Sequence, residues 1–239
     1  MTTKEKMNSN RKIARIVGVL FLTAMVTSLL GGIWLESILT APDYLITLSA
    51  SKTQVIIGVL LELTNGIAVI GIAVFMFPIF KKFSEALALG YVALRIIESV
   101  IIIAAVISPL TLIALSQEYL TAGAAEAAYF QSLGSSFLAV RAHLVGILLA
   151  IFFSLGALLF YYLLYQSKLV PRWISVWGFI GAVSVLTWNL LGTFGISISA
   201  GMILALPIIS NEIFLGIWLI VKGFNSSAIA SGSAEIDMN

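Results

Sequence analysis

Polar and apolar positions along the chain do not alternate; they fall into long apolar runs separated by short polar breaks. Six runs stand out, at residues 16–38, 54–80, 84–115, 137–165, 173–196 and 200–221. Each is long enough as a helix to cross about 30 Å of hydrocarbon, which takes about 20 residues at 1.5 Å apiece. Continuous runs point to spanning helices, whereas a membrane barrel would show a period of two. The pattern therefore predicts an all-α, polytopic membrane protein of six transmembrane helices arranged as three hairpins. Residues 1–15 read as a basic cytoplasmic segment and 16–224 as the transmembrane domain. Residues 117–136 read as an external loop with a short interfacial helix, and 225–239 as a disordered cytoplasmic tail.

Composition sharpens this picture. Of 239 residues, 60% are apolar and 10% charged, and the mean hydropathy is +1.09. Such a chain lacks the polar surface to coat a water-soluble globule. Thirteen basic against eleven acidic residues give a net charge of +2, which excludes a nucleic-acid-binding module. With no cysteine, thiolate catalysis and cysteine-based metal sites are excluded as well.

The distribution of charge carries more than its sum. Lys4, Lys6, Arg11, Lys12, Arg15, Lys81, Lys82, Lys168, Arg172 and Lys222 fall on one side of the alternating spans, and Lys52 alone on the other. The positive-inside rule then places both termini in the cytoplasm. The first span has a basic start like a signal peptide, but its apolar run is longer than a signal's and lacks an Ala-x-Ala site, so it is read as uncleaved. The sequon at Asn225-Ser226-Ser227 falls on the cytoplasmic side and is read as chance. Tryptophan and tyrosine near the span ends fit interfacial anchoring.

The informative residues are the polar ones inside the spans, since a charge at mid-bilayer costs roughly 2.5–3.5 kcal/mol on insertion scales. They are Glu62 and Asn65 in the second span, Arg95 and Glu98 in the third, Arg141 and His143 at the start of the fourth, Asn189 in the fifth, and Asn211 and Glu212 in the sixth. Glu36 is expected at the wetted end of the first. Helix rise places Glu212 about 15 Å from Lys222, Arg95 about 20 Å and Glu98 about 24 Å from Lys82, Glu62 about 29 Å from Lys81, and His143 about 37 Å from Lys168. These depths form a staircase from His143 and Arg141 down to Arg95 and Glu212, with Glu212 the favoured partner of Arg95. Arg95 and Glu98, spaced i, i+3, share a helix face, so an intrahelical pair competes. The inner third of the second and sixth spans is apolar, so the staircase is expected to open outward above a closed cytoplasmic floor.

Two readings follow. In one, the charges line a cavity for a polar or charged solute or ion, as in a small transporter or binding protein. In the other they only fix helix packing in a non-transporting sensor, regulator or assembly partner. An embedded enzyme is least favoured, because no Walker loop, nucleophile elbow, His-Glu-x-x-His or metal-ligand cluster is present. No cofactor or metal is expected; the expected partners are the lipid bilayer and a polar small molecule or ion. Pro207, inside the sixth span, is expected to kink it beside Asn211. Pro78 and Pro109 are placed near span ends. A weak internal repeat aligns Glu62-Leu63-Thr64-Asn65-Gly66-Ile67 with Glu212-Ile213-Phe214-Leu215-Gly216-Ile217, and Ile16-Val17-Gly18 with Val176-Trp177-Gly178.

Leu94-Arg95-Ile96-Ile97-Glu98, Pro171-Arg172-Trp173-Ile174, and Asn211-Glu212 followed by Trp218-Leu219-Ile220-Val221-Lys222-Gly223-Phe224 together resemble the bacterial membrane family catalogued as domain of unknown function 4386. The resemblance covers roughly residues 10 to 224. It implies an inner-membrane protein of about six helices and carries no catalytic or binding residues with it.

Overall fold

The computed structural model describes residues 3–122, 124–196 and 201–229. These contain no strand. Eight α-helices follow one another: α1 (Thr3–Leu39), α2 (Tyr44–Ala50), α3 (Lys52–Phe80), α4 (Glu85–Thr121), α5 (Ala124–His143), α6 (Ala150–Ser167), α7 (Arg172–Thr193) and α8 (Gly201–Val221). A π-helical turn, Leu144–Leu149, joins α5 to α6 without a break. Among the described residues six helices are long and apolar enough to span a membrane, one of them the fused Glu126–Ser167. Large apolar side chains stand on the outer faces, such as Ile67 at 72% exposure and Ile107 at 58%. In water that surface would associate; in lipid it is the solvated face.

The six long helices close into a ring. α1 packs on α3, α3 on α4, α4 on α6, α6 on α7, α7 on α8, and α8 returns to α1. Small residues set the tight crossings, as expected where packing rather than the hydrophobic effect holds helices together. A Cβ on Gly18 would lie 2.6 Å from the Gly216 carbonyl oxygen, and one on Gly181 2.7 Å from the Ile208 nitrogen. A side chain at either position would collide with backbone.

Two apolar clusters cap the ring's interior. One carries the rings of Phe21, Phe80, Tyr91, Phe160 and Tyr161, with neighbouring centroids 5.3–5.8 Å apart. It gathers the early part of α1, the end of α3, the start of α4 and the later part of α6 at one level. The other joins Leu35, Leu39, Leu48, Val55 and Leu112, from the end of α1, from α2, the start of α3 and late α4.

Residues 117–136 differ from expectation. α4 runs on to Thr121, and α5 is the start of the fourth long helix rather than a separate short piece. Alanine at 124, 125, 127 and 128 favours helix, and Phe130, Leu133, Phe137 and Leu138 pack onto the second cluster. Ser108 Oγ also donates to the Phe137 carbonyl at 2.8 Å. Pro109 consequently sits well inside α4 and not near its end. α2, a seven-residue helix, falls between the first two apolar runs, where no element is expected. Of the tail, residues 226–229 form one helical turn whose Ala228 and Ile229 are buried. Asn225 starts that turn by accepting from Ser227 N and Oγ, and its own N–H donates to the Leu169 carbonyl at 2.8 Å. The rest of the tail lies outside the described residues, as does the start of the sixth run at residue 200.

Candidate functional site: a central cavity with a buried carboxyl group

The polar residues of the spans separate into two groups with different surroundings. The first is an ion-pair node. Arg141, at the end of α5, donates from Nη2 to Glu62 Oε1 at 2.6 Å and from Nη1 to Glu62 Oε2 at 3.1 Å, a bidentate pair. Nη1 also donates to the Ala105 carbonyl at 3.2 Å, and Nε lies 3.8 Å from Glu36 Oε1. One side chain thus ties α5 to α1, α3 and α4. Glu36 is exposed, as expected of a wetted end. Glu62, expected beside Glu98, belongs to this node instead and does not line the cavity.

The second group faces the middle of the ring. A cavity of about 280 Å³ is lined by residues from all six long helices, including Phe21, Asn65, Arg95, Phe153, Asn189 and Glu212. Its lining is mostly apolar. Arg95 Nη1 donates to Glu98 Oε2 at 2.7 Å, and Arg95 Nε to the Tyr91 hydroxyl at 3.3 Å. The guanidinium also stands over the rings of Tyr91 and Phe153, at 5.4 and 5.7 Å from their centroids. Gly156, with a Cβ position 3.4 Å from Arg95 Nε, leaves the guanidinium its room. Below this pair, one turn down α4, begins the aromatic cluster around Tyr91.

The favoured pairing of Arg95 with Glu212 is corrected by this geometry. Arg95 spends its hydrogen bonds within α4, on Glu98 and Tyr91, because i, i+3 and i, i+4 neighbours reach it without crossing the cavity. Glu212 is 9% exposed, and among the described residues no hydrogen bond or ion pair reaches its carboxylate. It remains within electrostatic reach of Arg95, Glu98 and the hydroxyls of Tyr91 and Tyr161.

Two further expectations are redirected, and the stretch around Pro207 lines the cavity. Asn211 does not share the cavity: consecutive helix residues point about 100° apart, and Asn211 Nδ2 donates instead to the Ile174 carbonyl at 2.9 Å, locking α8 to α7. His143 is exposed, its Nδ1 2.6 Å from the Ala139 carbonyl of its own helix, and has no place in a staircase. α8 continues through Pro207 as helix, with Ile208 and Ile209 of the next positions lining the cavity.

Some lining was not anticipated. Phe21 and Phe153 carry no pattern that marks them apart from other core aromatics. Tyr91 was findable, four residues before Arg95. The π turn, which contributes Val145 and Leu149 to the wall, has no sequence signature beyond Gly146. π turns inside α-helices occur disproportionately at functional sites.

The model of the domain of unknown function DUF4386 matches residues 16–223. The chain belongs to this family. The match takes in every long helix and both polar groups of this DUF4386 protein. No curated protein and no solved structure matches the chain.

Proposed function

We propose that this DUF4386 protein is a bacterial inner-membrane protein, three hairpins with both termini in the cytoplasm, whose central cavity takes a polar or charged solute, to hold it or to pass it across. One observation carries this reading: Glu212, nine-tenths buried, faces a cavity reached by all six spans and has no hydrogen-bonding partner among the described residues. A bundle gains nothing in packing from a buried carboxylate left unpaired, and such a group is strongly destabilising. The aromatic cluster at the Lys81 end supports access from the opposite end, over a closed floor. The packing-only alternative suits the Arg141 node, where every contact joins helices and none faces the cavity.

The chain's lack of cysteine gives a direct test. In membranes, Asn65→Cys and Asn189→Cys should react with a small water-soluble thiol reagent, and Ala182→Cys, at a fully buried packing position, should not. Protection of both cavity positions would refute a solute cavity. Reaction only from the cytoplasmic face would reverse the proposed access.

A further inference from the structure

We propose that the ligand of the cavity is a monovalent organic cation with an apolar body, that Glu212 is its counter-ion, and that the cation exchanges with a proton there. This rests on the cavity being a solute site, and it specifies the solute. Charge comes first. One arginine and two glutamates line the space, and Arg95 and Glu98 already neutralise one another at 2.7 Å. The surplus is a single negative charge, on Glu212.

The walls narrow the class further. Phe21 and Phe153 line the space, and Phe153 already holds one cation, the Arg95 guanidinium, over its ring at 5.7 Å. Aromatic faces beside a carboxylate recognise ammonium groups that carry apolar substituents. The remaining wall is largely aliphatic, so the body of the ligand gains by burial. Asn65 adds an amide. Asn189 donates from Nδ2 to the Val185 carbonyl at 2.9 Å, which leaves its amide oxygen, an acceptor, for the cavity.

Other ligand classes fit less well. An anion would meet two carboxylates and a guanidinium already committed to one of them. A neutral polar solute would leave Glu212 protonated and make no use of its charge. A calcium or magnesium ion needs six or more oxygen ligands, or several retained waters, and this largely aliphatic wall offers only Ser28, two amides and one carboxylate not committed to Arg95. A volume of about 280 Å³ suits one ring with a substituted ammonium group.

The exchange follows from what faces Glu212. From α4 it sees Arg95 and Glu98, and the hydroxyls of Tyr91 and, from α6, Tyr161 lie within electrostatic reach. α1 presents Phe21, Met25 and Ser28, α3 presents Asn65, and α7 presents Val185 and Asn189, none of them ionisable. Without a cation, nothing but a proton completes the charge balance. The carboxylic acid therefore loses its O–H proton to solvent as the cation arrives, one for one. Lowering the pH opposes the cation.

The test is calorimetric titration of the full chain, purified in detergent, with benzyltrimethylammonium, whose charge is independent of pH, and with benzenesulfonate as an anion of similar size. The cation should bind at least tenfold more tightly. Repetition in buffers of different ionisation enthalpy should show proton release, and affinity should fall as pH is lowered. Glu212→Gln, which keeps shape and removes charge, should reduce cation binding at least tenfold and abolish proton release. Glu212→Asp should retain the preference for cation over anion, which guards against a merely misfolded Gln variant. Equal binding of the two probes, or full binding by a folded Glu212→Gln, would overturn the proposal. Binding of neither probe to a chain whose Asn65→Cys variant still reacts with thiol reagent would overturn the cation and leave the cavity standing. Unreactive Asn65→Cys and Asn189→Cys would defeat the cavity itself.

Discussion

Arg95 and Arg141 are equally buried, yet their partners come from very different distances along the chain. Glu98 is three residues from Arg95, a spacing visible in any helical reading, while Glu62 is 79 residues from Arg141. Depth along the bilayer placed Arg95 and Glu212 close together, but depth has no azimuth, and the choice of partner turned on which face of α4 each group shared. The same limit applies to Asn211 and Glu212, adjacent in sequence and turned to different neighbours. Removing Arg141 strands Glu62, so Arg141→Ala should lower unfolding stability in detergent by about 3–5 kcal/mol. Adding Glu62→Gln should recover part of it, and strictly additive losses would argue against the pair. For Arg95→Ala, Glu98→Gln should restore more stability than Glu212→Gln does, the reverse of what depth alone predicts.

At the scale of elements, the six long helices were legible because hydrocarbon imposes a length on apolar runs. The expected 54–80 lies within Lys52–Phe80 and 173–196 ends close to Thr193. Ends that pack on protein were not legible in that way: α5 is only modestly apolar, and its alanine-rich start reads as a short interfacial helix within a loop until its docking surface is known. The glycines that decide the crossings were present in the aligned segments as bare coincidences. In the ring they hold matching places, since Gly66 faces α4 and Gly216 faces α1, each the next helix around, while Gly18 faces α8 and Gly178 faces α6, each the preceding one. Gly181→Ala should force α7 off the backbone at Ile208 and cost about 1–3 kcal/mol. Gly146→Ala meets no atom within 4 Å and should be neutral or stabilising by up to about 1 kcal/mol. Thermal unfolding of the two variants side by side distinguishes a collision from a general intolerance of alanine.

For the whole molecule, the lysine and arginine bias is a statement about which ends of the ring share a compartment. Reporter fusions at residues 45 and 125 should read as external, and fusions at 83, 169 and 230 as cytoplasmic; an external reading at the C-terminal end would overturn the orientation. That prediction is independent of the cavity, because the ring closes through α1 and α8 whichever way the bundle faces. What composition and periodicity could not supply is the ring itself: six apolar stripes admit many orders of neighbours, and only the glycine crossings and the two polar groups select this one.

The π turn between α5 and α6 behaves as a dislocation in a one-dimensional crystal. Its i→i+5 pairing accommodates one residue more than an α-helical turn of the same height, so the lattice on either side is out of phase by about 100°. Upstream, the Arg141 side chain is clamped to Glu62 and Ala105; downstream, Gly156 is fitted around Arg95. Neither anchorage can rotate to heal the fault while the other holds. Deleting Gly146 would restore an unbroken α lattice, and the phase mismatch would then have to be released at one clamp. Loss of the stability contributed by Arg141, or loss of thiol access at Asn189→Cys in the cavity, would report which of the two is the weaker.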